Sequence, residues 1–416
     1  MTVGRLRDDD LVRSGRAFRA LIPVTVGPRS YRDPMRLLHT SDWHLGRSFH
    51  GQSLLADQET VLCALADLAS ERDVDVMLIS GDLYDRAVPS PEAVQCASRV
   101  LGRIREAGIS IVAISGNHDS APRLGAFTDF LAAGGLHLRT ASRRAGEPVM
   151  IDDPAGPVAF YPVPYLEPDL ARAVWELPTP ASHQQVLSRA LCDARADLAQ
   201  RPVGTRSVVL AHAFVTGAAV AGSERSIAVG GVESVTADVF DGFDYVALGH
   251  LHTAQLVTDR IRYSGSPLPY AFSEAGQRKC FYLVDLDVDG GSVVERVELP
   301  VIRRLATLRG TLAEILCTGD ELAEAYLSVE LTDPVRPLEP MRRLREKFPH
   351  TLVAQWVPSG DVGVIGRARG SGGGHRADEV LLSDFVVEAR GSAPSPSELT
   401  LMHDALAAER QLERAR

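Results

Sequence analysis

Long apolar runs are missing from this 416-residue chain. None approaches the ~18–20 residues that a membrane-spanning helix needs, so no membrane span is expected. Cysteine is sparse. The five residues Cys63, Cys96, Cys192, Cys280 and Cys317 are scattered, odd in number and never spaced C-x-x-C. That argues against a disulfide framework or a zinc ribbon and fits a reducing compartment, so a cytoplasmic location is expected. Lysine is almost absent: of 44 basic residues only Lys279 and Lys347 are not arginine, a bias that a GC-rich genome is enough to explain. Basic charge is short overall as well. A net charge of −10 argues against a protein that holds nucleic acid by a bulk basic field. It leaves room for one that meets phosphate at a local, metal-neutralised site.

What is present is enough for a large core. Hydrophobic residues make up 45% and charged residues 24%, which excludes wholesale disorder. At ~100–200 residues per domain the length suggests two or three folded units. Residues 1–34, with their Arg and Asp clusters, look unlike the rest and lack a signal-peptide pattern. They are expected to be a disordered extension or a mis-called start, with Met35 the true one. From 35 to 300, apolar strand-like runs (Val74–Ser80, Ile109–Ser115, Val158–Tyr161, Ser207–Ala211, Tyr245–Leu248) alternate with helical patterns such as Leu54–Ala69 and Pro91–Ala107. Consecutive strands follow (Ile261–Ser264, Cys280–Leu286 and Val293–Leu299), with a turn at Gly290-Gly291. The fold class is α/β, sheets packed under helices. Residues 301–365 read as a small βαβαβ unit and 366–378 as a Gly-rich flexible linker. Residues 379–416 read as two short amphipathic helices. The second starts at Ser395-Pro396-Ser397-Glu398, a capping box, and places Leu399, Met402 and Leu406 on one face. The first carries Leu381, Leu382, Phe385, Val386 and Ala389. Helices this short are marginal alone, so an external partner surface is expected for them.

Five short motifs share one layout, an apolar strand followed by metal-ligand residue types. They are Asp42-Trp43-His44, Gly81-Asp82, Gly116-Asn117-His118-Asp119, His212 and Gly249-His250-Leu251-His252. Sites in α/β sheets form beyond the carboxyl ends of strands, where all five would converge. In an extended segment residues i and i+2 share a face, so Asp42 with His44, and His250 with His252, could each hold one ion together. Glycine before Asp82, Asn117 and His250 permits sharp turns and close approach. Carboxylate, imidazole and amide donors without thiolate suit manganese, iron or zinc. Seven ligands (Asp42, His44, Asp82, Asn117, His212, His250, His252) are too many for one ion. They suit two ions ~3.5–4 Å apart, with Asp82 the natural bridge. Each motif alone reads more readily as structural; the ordered set does not.

That set, with Asp85 three residues after Asp82, resembles the calcineurin-like metallophosphoesterase superfamily. Thr40-Ser41-Asp42-Trp43-His44-Leu45-Gly46-Arg47, Asp244–His252 and Tyr263-Ser264-Gly265-Ser266-Pro267 narrow the resemblance to the SbcCD-type nuclease family, over about 35–416. The resemblance implies a β-sandwich flanked by helices over 35–300, a capping domain over 301–365 and C-terminal helices. It implies one metal on Asp42, His44, Asp82 and His252, and a second on Asp82, Asn117, His212 and His250. Both would be divalent ions, Mn2+ foremost. His118 would face the scissile phosphate as general acid or transition-state stabiliser. Archaeal and eukaryotic relatives carry histidine where this chain has Asp85. A carboxylate there, as in the superfamily's phosphatases, is expected to hold the His118 ring. Trp43, His50 and Arg86 are weaker candidates for substrate contact.

The implied activity is two-metal phosphodiester hydrolysis of DNA. It comprises ATP-independent single-strand endonuclease action, and duplex 3'-5' exonuclease and hairpin cleavage with the SbcC ATPase subunit, in repair, recombination and replication. A homodimer within a heterotetramer is implied too. The acidic net charge fits a chain whose DNA affinity comes largely from that partner. Two rivals are a small-substrate metallophosphodiesterase or phosphatase, which needs no residues beyond 300, and a non-catalytic scaffold, which need not keep a full ligand set.

Overall fold

The structure is a computed structural model that describes residues 34–218, 234–358, 382–383, 385–387 and 393–415. The chain divides into two compact units, Met1–Ile302 and Arg303–Arg416.

Two six-stranded sheets build the first unit. One runs, edge to edge, Ser292–Glu298, Cys280–Leu286, Met35–Thr40, Val76–Ser80, Ser110–Ile114 and Leu136–Arg139. Its last four strands are parallel, and Cys280–Leu286 is antiparallel to Met35–Thr40. The other runs Gln255–Thr258, Ile261–Tyr263, Tyr245–Gly249, Arg206–His212, Gly156–Val163 and Val149–Asp153. Its inner four strands are parallel and its edges antiparallel. The apolar runs of the sequence are unbroken for a physical reason: strands such as Val76–Ser80 are buried on both faces. On the inner faces Leu37, Leu78 and Val112 of one sheet meet Phe160, Val208 and Ala247 of the other. The helix His183–Leu198 sets Val186, Ala190 and Leu191 against the outer face of the second sheet. Leu55–Glu71 and Pro91–Glu106 pack together as a helical pair. Parallel strands bring their carboxyl ends to one end of the sandwich, which is where the motif loops emerge.

The opposite end is stapled by Arg206, at the start of its strand. Its guanidinium grips Asp153 at 2.9 and 2.5 Å and also donates to the carbonyls of Gly156 (2.8 Å) and Leu286 (3.3 Å). Asp153 and Gly156 belong to an edge hairpin of one sheet, Leu286 to the other sheet. Only 2% of the Arg206 side chain and 7% of Asp153 are exposed, so neither charge has water as an alternative partner.

The second unit has a parallel sheet, Leu305–Gly310, Tyr326–Leu331 and Thr351–Trp356, with helices Leu312–Leu316 and Pro340–Lys347. Leu312, Ile315 and Leu344 of the helices, with Phe348 just after the second, close on Leu327, Val329 and Leu331 of the central strand. The C-terminal helix Pro396–Ala415 begins where the capping signal lies: Ser395 N–H donates to Glu398 Oε2 (2.6 Å) and Glu398 N–H to Ser395 Oγ (3.3 Å). Residues 1–33, the linker at 366–378, Leu381 and Ala389 lie outside the described residues. Leu382, Phe385 and Val386 fall in helical positions. Among the described residues no helix is long and apolar enough to cross a membrane.

Breaking the staple from one side leaves a buried, unpaired guanidinium. Asp153→Ala should therefore lower unfolding stability by about 3–5 kcal/mol in a denaturant titration. Being at the far end of the strands, it should leave metal binding unchanged while the protein is folded.

Candidate metal centre

Thr40 ends the first strand, and the chain leaves it kinked rather than extended. Asp42 (φ 53°) and His44 (φ 45°) are both left-handed, as are Asp82 (φ 50°) and His250 (φ 108°). The i, i+2 reading of Asp42 and His44 as strand neighbours is therefore corrected; alternate left-handed residues turn both inward. The kinked segment is zipped to the exit of the next strand. Asp42 N–H donates to Gly81 O (3.1 Å), His44 N–H to Asp82 O (2.9 Å) and Leu45 N–H to Leu83 O (3.0 Å). Left-handed backbone costs about 1–3 kcal/mol at a non-glycine residue, and such bonds over-determine it. Trp43, between the two ligands, points into the core with no exposed surface and donates Nε1–H to Thr40 Oγ1 (3.1 Å). It is a packing residue, not a substrate contact.

The seven candidate ligands converge in two groups that share Asp82. In the first, His44 Nε2 lies 3.1 Å from His252 Nε2 and 3.4 Å from Asp82 Oδ2. Ligand atoms of Asp42, His44 and His252 fall within 4.8 Å of one another. In the second, His212 Nε2 lies 3.5 Å from Asp82 Oδ2 and 2.9 Å from Asn117 Oδ1, and His250 Nδ1 lies 3.3 Å from the same amide oxygen. Asp42, Asp82 and His212 also bring ligand atoms within 4.8 Å. The reading of His250 and His252 as one ion's pair is corrected: the left-handed turn at His250 sends the two rings to different groups. Glycine matters here mainly for closeness. A Cβ on Gly116 would stand 2.5 Å from Asp82 N, and one on Gly249 would stand 2.9 Å from the Ser80 carbonyl carbon.

The surroundings fix each donor. His212 Nδ1 faces Ser80 O at 2.8 Å, leaving Nε2 to the cluster. Ser41 Oγ donates to Asp42 Oδ2 (2.6 Å), and His250 N–H reaches both carboxylate oxygens of Asp42 (3.1 and 3.2 Å). Asp119 is a clamp: its carboxylate accepts from Gly116, Leu83 and Tyr84 N–H at 3.0–3.1 Å, tying the loop after Asp82 to the loop bearing Asn117. His118 is half-buried beside the cluster. Its main-chain N–H donates to Asp82 Oδ1 (2.8 Å), and its Nδ1 lies 2.8 Å from the carbonyl oxygen of Asp85. The expectation that the Asp85 carboxylate holds the His118 ring is thus corrected; the main chain of Asp85 does. The carboxylate accepts from Arg47 instead, at 3.1 Å. Arg86 is 76% exposed, and His50 sits at an exposed hairpin turn against Phe49 and Phe272.

Several supports were not legible in the motifs. Gln58 Nε2 donates to the carbonyls of Trp43 (2.9 Å) and His44 (2.7 Å), and Tyr270 OH donates to Trp43 O (2.6 Å). Lys279 Nζ donates to His252 O (2.8 Å) and pairs with buried Glu274 at 2.5 Å. A signal for Gln58 was present: it stands at a core-facing position of its helix, in line with Val61, Leu62 and Leu65. Lys279 carried only the oddity of being a lysine.

Charge and burial oppose each other here. Burial raises the Asp42 pKa to about 7. Burial works to raise Asp82 too, but His212 and His44 hold it well below the usual carboxylate range. Burial disfavours charge on His212, yet Asp82 beside it lifts its pKa to about 9. Burial keeps His44 and His252 neutral and lowers His250 to about 3. Two carboxylates, an amide and four imidazoles, with donor atoms 2.9–3.5 Å apart, fit a pair of divalent cations. In the metal-free protein a proton on His212 offsets Asp82.

The model of the calcineurin-like phosphoesterase family matches residues 35–254, more than half of the chain, so the chain belongs to that family. The family consists of metal-dependent hydrolases with a dimetal site, and the clusters Asp42–His44–His252 and Asp42–Asp82–His212 supply candidate ligands for it. A second family model, SbcD_C, described as the type 5 capsule protein repressor C-terminal domain, matches residues 301–359. Among solved structures, a dimetal phosphatase from Danio rerio is 13% identical and covers 64% of this chain and 97% of its own, with a TM-score of 0.37.

Because His212 holds a proton at pH 7 and Asp42 is about half-protonated there, and both must be deprotonated to ligate, metal uptake should release between one and two protons at pH 7. Affinity should rise with pH until His212 deprotonates near 9. Calorimetric Mn2+ titrations in two buffers of different ionisation enthalpy measure the release; a buffer-independent enthalpy at pH 7 contradicts it.

Proposed function

We propose that this chain is the nuclease subunit of an SbcCD-type complex and hydrolyses DNA phosphodiester bonds with two Mn2+ ions. The observation that carries the reading is the SbcD_C match at 301–359, directly after the phosphoesterase unit. Asp42, His44, Asp82 and His252 would hold one ion, and Asp82, Asn117, His212 and His250 the other. When bound, such a pair supplies positive charge for the phosphoryl oxygens and acidifies water into a nucleophile near neutral pH. Asp82 has the right chemistry for the shared position, with one oxygen facing His44 and His212 and the other held by His118 N–H. His118 acts on the leaving side. A carbonyl only accepts, so its contact with Asp85 O fixes the Nδ1–H; the imidazolium form of the ring then carries a second proton, on Nε2, that would pass to the departing sugar oxygen and leave the neutral Nδ1–H tautomer behind.

The SbcC ATPase partnership rests on the tail. Leu399 and Leu401 of the C-terminal helix are 45% and 69% exposed, apolar surface that a partner groove would cover. A homodimer within a heterotetramer, and a role in DNA repair, recombination and replication, belong to the same proposal.

The test compares linear duplex DNA, single-stranded circles and bis(p-nitrophenyl) phosphate with Mn2+, with and without ATP and the ATPase. DNA cleavage is expected, with the single-strand endonuclease action independent of ATP. Hydrolysis of the small diester alone would return the chain to the small-substrate phosphodiesterases. His118→Ala should retain both ions by elemental analysis while cutting falls by about 10²–10⁴-fold. Asp82→Ala should lose metal-dependent hydrolysis altogether.

A further inference from the structure

His44 presents one ring edge to the ligand cluster and the other to protein. Its Nε2 lies against His252 and Asp82. Its Nδ1 is fully buried and has no hydrogen-bond partner. An imidazole that ligates through Nε2 carries its proton on Nδ1, and a buried N–H needs an acceptor. His212 has one in Ser80 O. For His44 the facing group is the Asp85 carboxylate, with Oδ1 at 3.6 Å, one step outside hydrogen-bond range. That carboxylate is itself fixed. Arg47 donates to Oδ1 at 3.1 Å, and the Arg47 guanidinium lies 4.7 Å over the Tyr270 ring, whose hydroxyl binds Trp43 O. The carboxylate is thus anchored beside the ring edge that lacks a partner.

We infer that Asp85 is a positioning residue for His44. Its carboxylate selects the Nδ1–H tautomer, fixes the ring and strengthens Nε2 as a donor, so that Arg47, Asp85 and His44 form a chain leading to one of the two ions. A rival use of the same atoms is a further cation site, since His44, Asp85 and His118 bring ligand atoms within 4.8 Å. Two facts oppose it. Arg47 already supplies the positive charge at Asp85, and His44 could ligate through Nδ1 as well as Nε2 only as an imidazolate. Asp85 therefore serves two neighbours by two routes, His118 through its carbonyl and His44 through its carboxylate. Only the second route depends on the side chain.

The inference rests on the dimetal reading of the cluster and not on the nucleic-acid substrate. Its test accordingly uses metal alone. Full-length wild type, Asp85→Ala, Asp85→Leu and Asp85→Asn are titrated with Co2+, followed by calorimetry and visible absorption. Wild type should bind two ions. The alanine and leucine variants, which lack an acceptor, should weaken one binding event by about 10–100-fold and leave the other within about twofold. The asparagine variant keeps an oxygen acceptor and should recover most of the loss. Leucine fills the space that alanine would leave empty, so a failure of Asp85→Ala to fold leaves the leucine variant to decide. Unchanged affinity at both sites in the leucine variant, or equal weakening of both, overturns the inference. A third ion in wild type overturns it in favour of the cation site. Wild type that binds no pair of ions overturns the dimetal reading itself, a result distinct from the others.

Discussion

Asp82 is the point on which the mouth of the sandwich depends. Its carbonyl accepts from His44 N–H and one carboxylate oxygen from His118 N–H. The other oxygen faces His44 and His212. One residue thus joins three loops from both sheets and carries the negative charge against which the histidines are balanced. Burying an unpaired carboxylate is costly, so this position requires cationic company, a proton on His212 or a metal pair.

The backbone around Asp82 is strained and is held by the bonds that surround it. Four ligands adopt left-handed backbone, and each such residue costs about 1–3 kcal/mol. The sandwich offsets this with main-chain bonds between adjacent strand exits and with the Asp119 clamp. A looser scaffold would relax those kinks and turn the donors away. The Arg206–Asp153 staple at the far end secures the sheets without intruding on the mouth.

A second tier of residues acts on the ligands from outside. Gln58 and Tyr270 hold the carbonyls flanking His44, and Lys279 with Glu274 holds that of His252. Buried charge used in this way is expensive unless fully paired, and each member here has its counter-charge or carbonyl. Such groups lie far apart in sequence and converge only because helices and the last strands of the sheet close over the first loop.

The succession of strands along the chain, and the type of chemistry behind each, were legible in the amino-acid pattern. Unbroken apolar runs specify strands buried on both faces, and parallel strands bring Asp42, Asp82, Asn117, His212 and His250 to one end. Local signals were equally legible where the physics is local: Ser395 and Glu398 form their capping box, and Cys280–Leu286 spans the range its apolar pattern sets. Which way the donors point depends on long-range contacts. Side-chain direction in a loop follows φ, and φ at Asp42, His44 and His250 is imposed by bonds to distant strands. The alternation of an extended chain therefore failed there, and His250 and His252 part company. For the same reason Asp85 gives His118 its carbonyl and turns its carboxylate to Arg47 and His44. The contact depends on a neighbour 38 residues away in sequence, which no local pattern encodes.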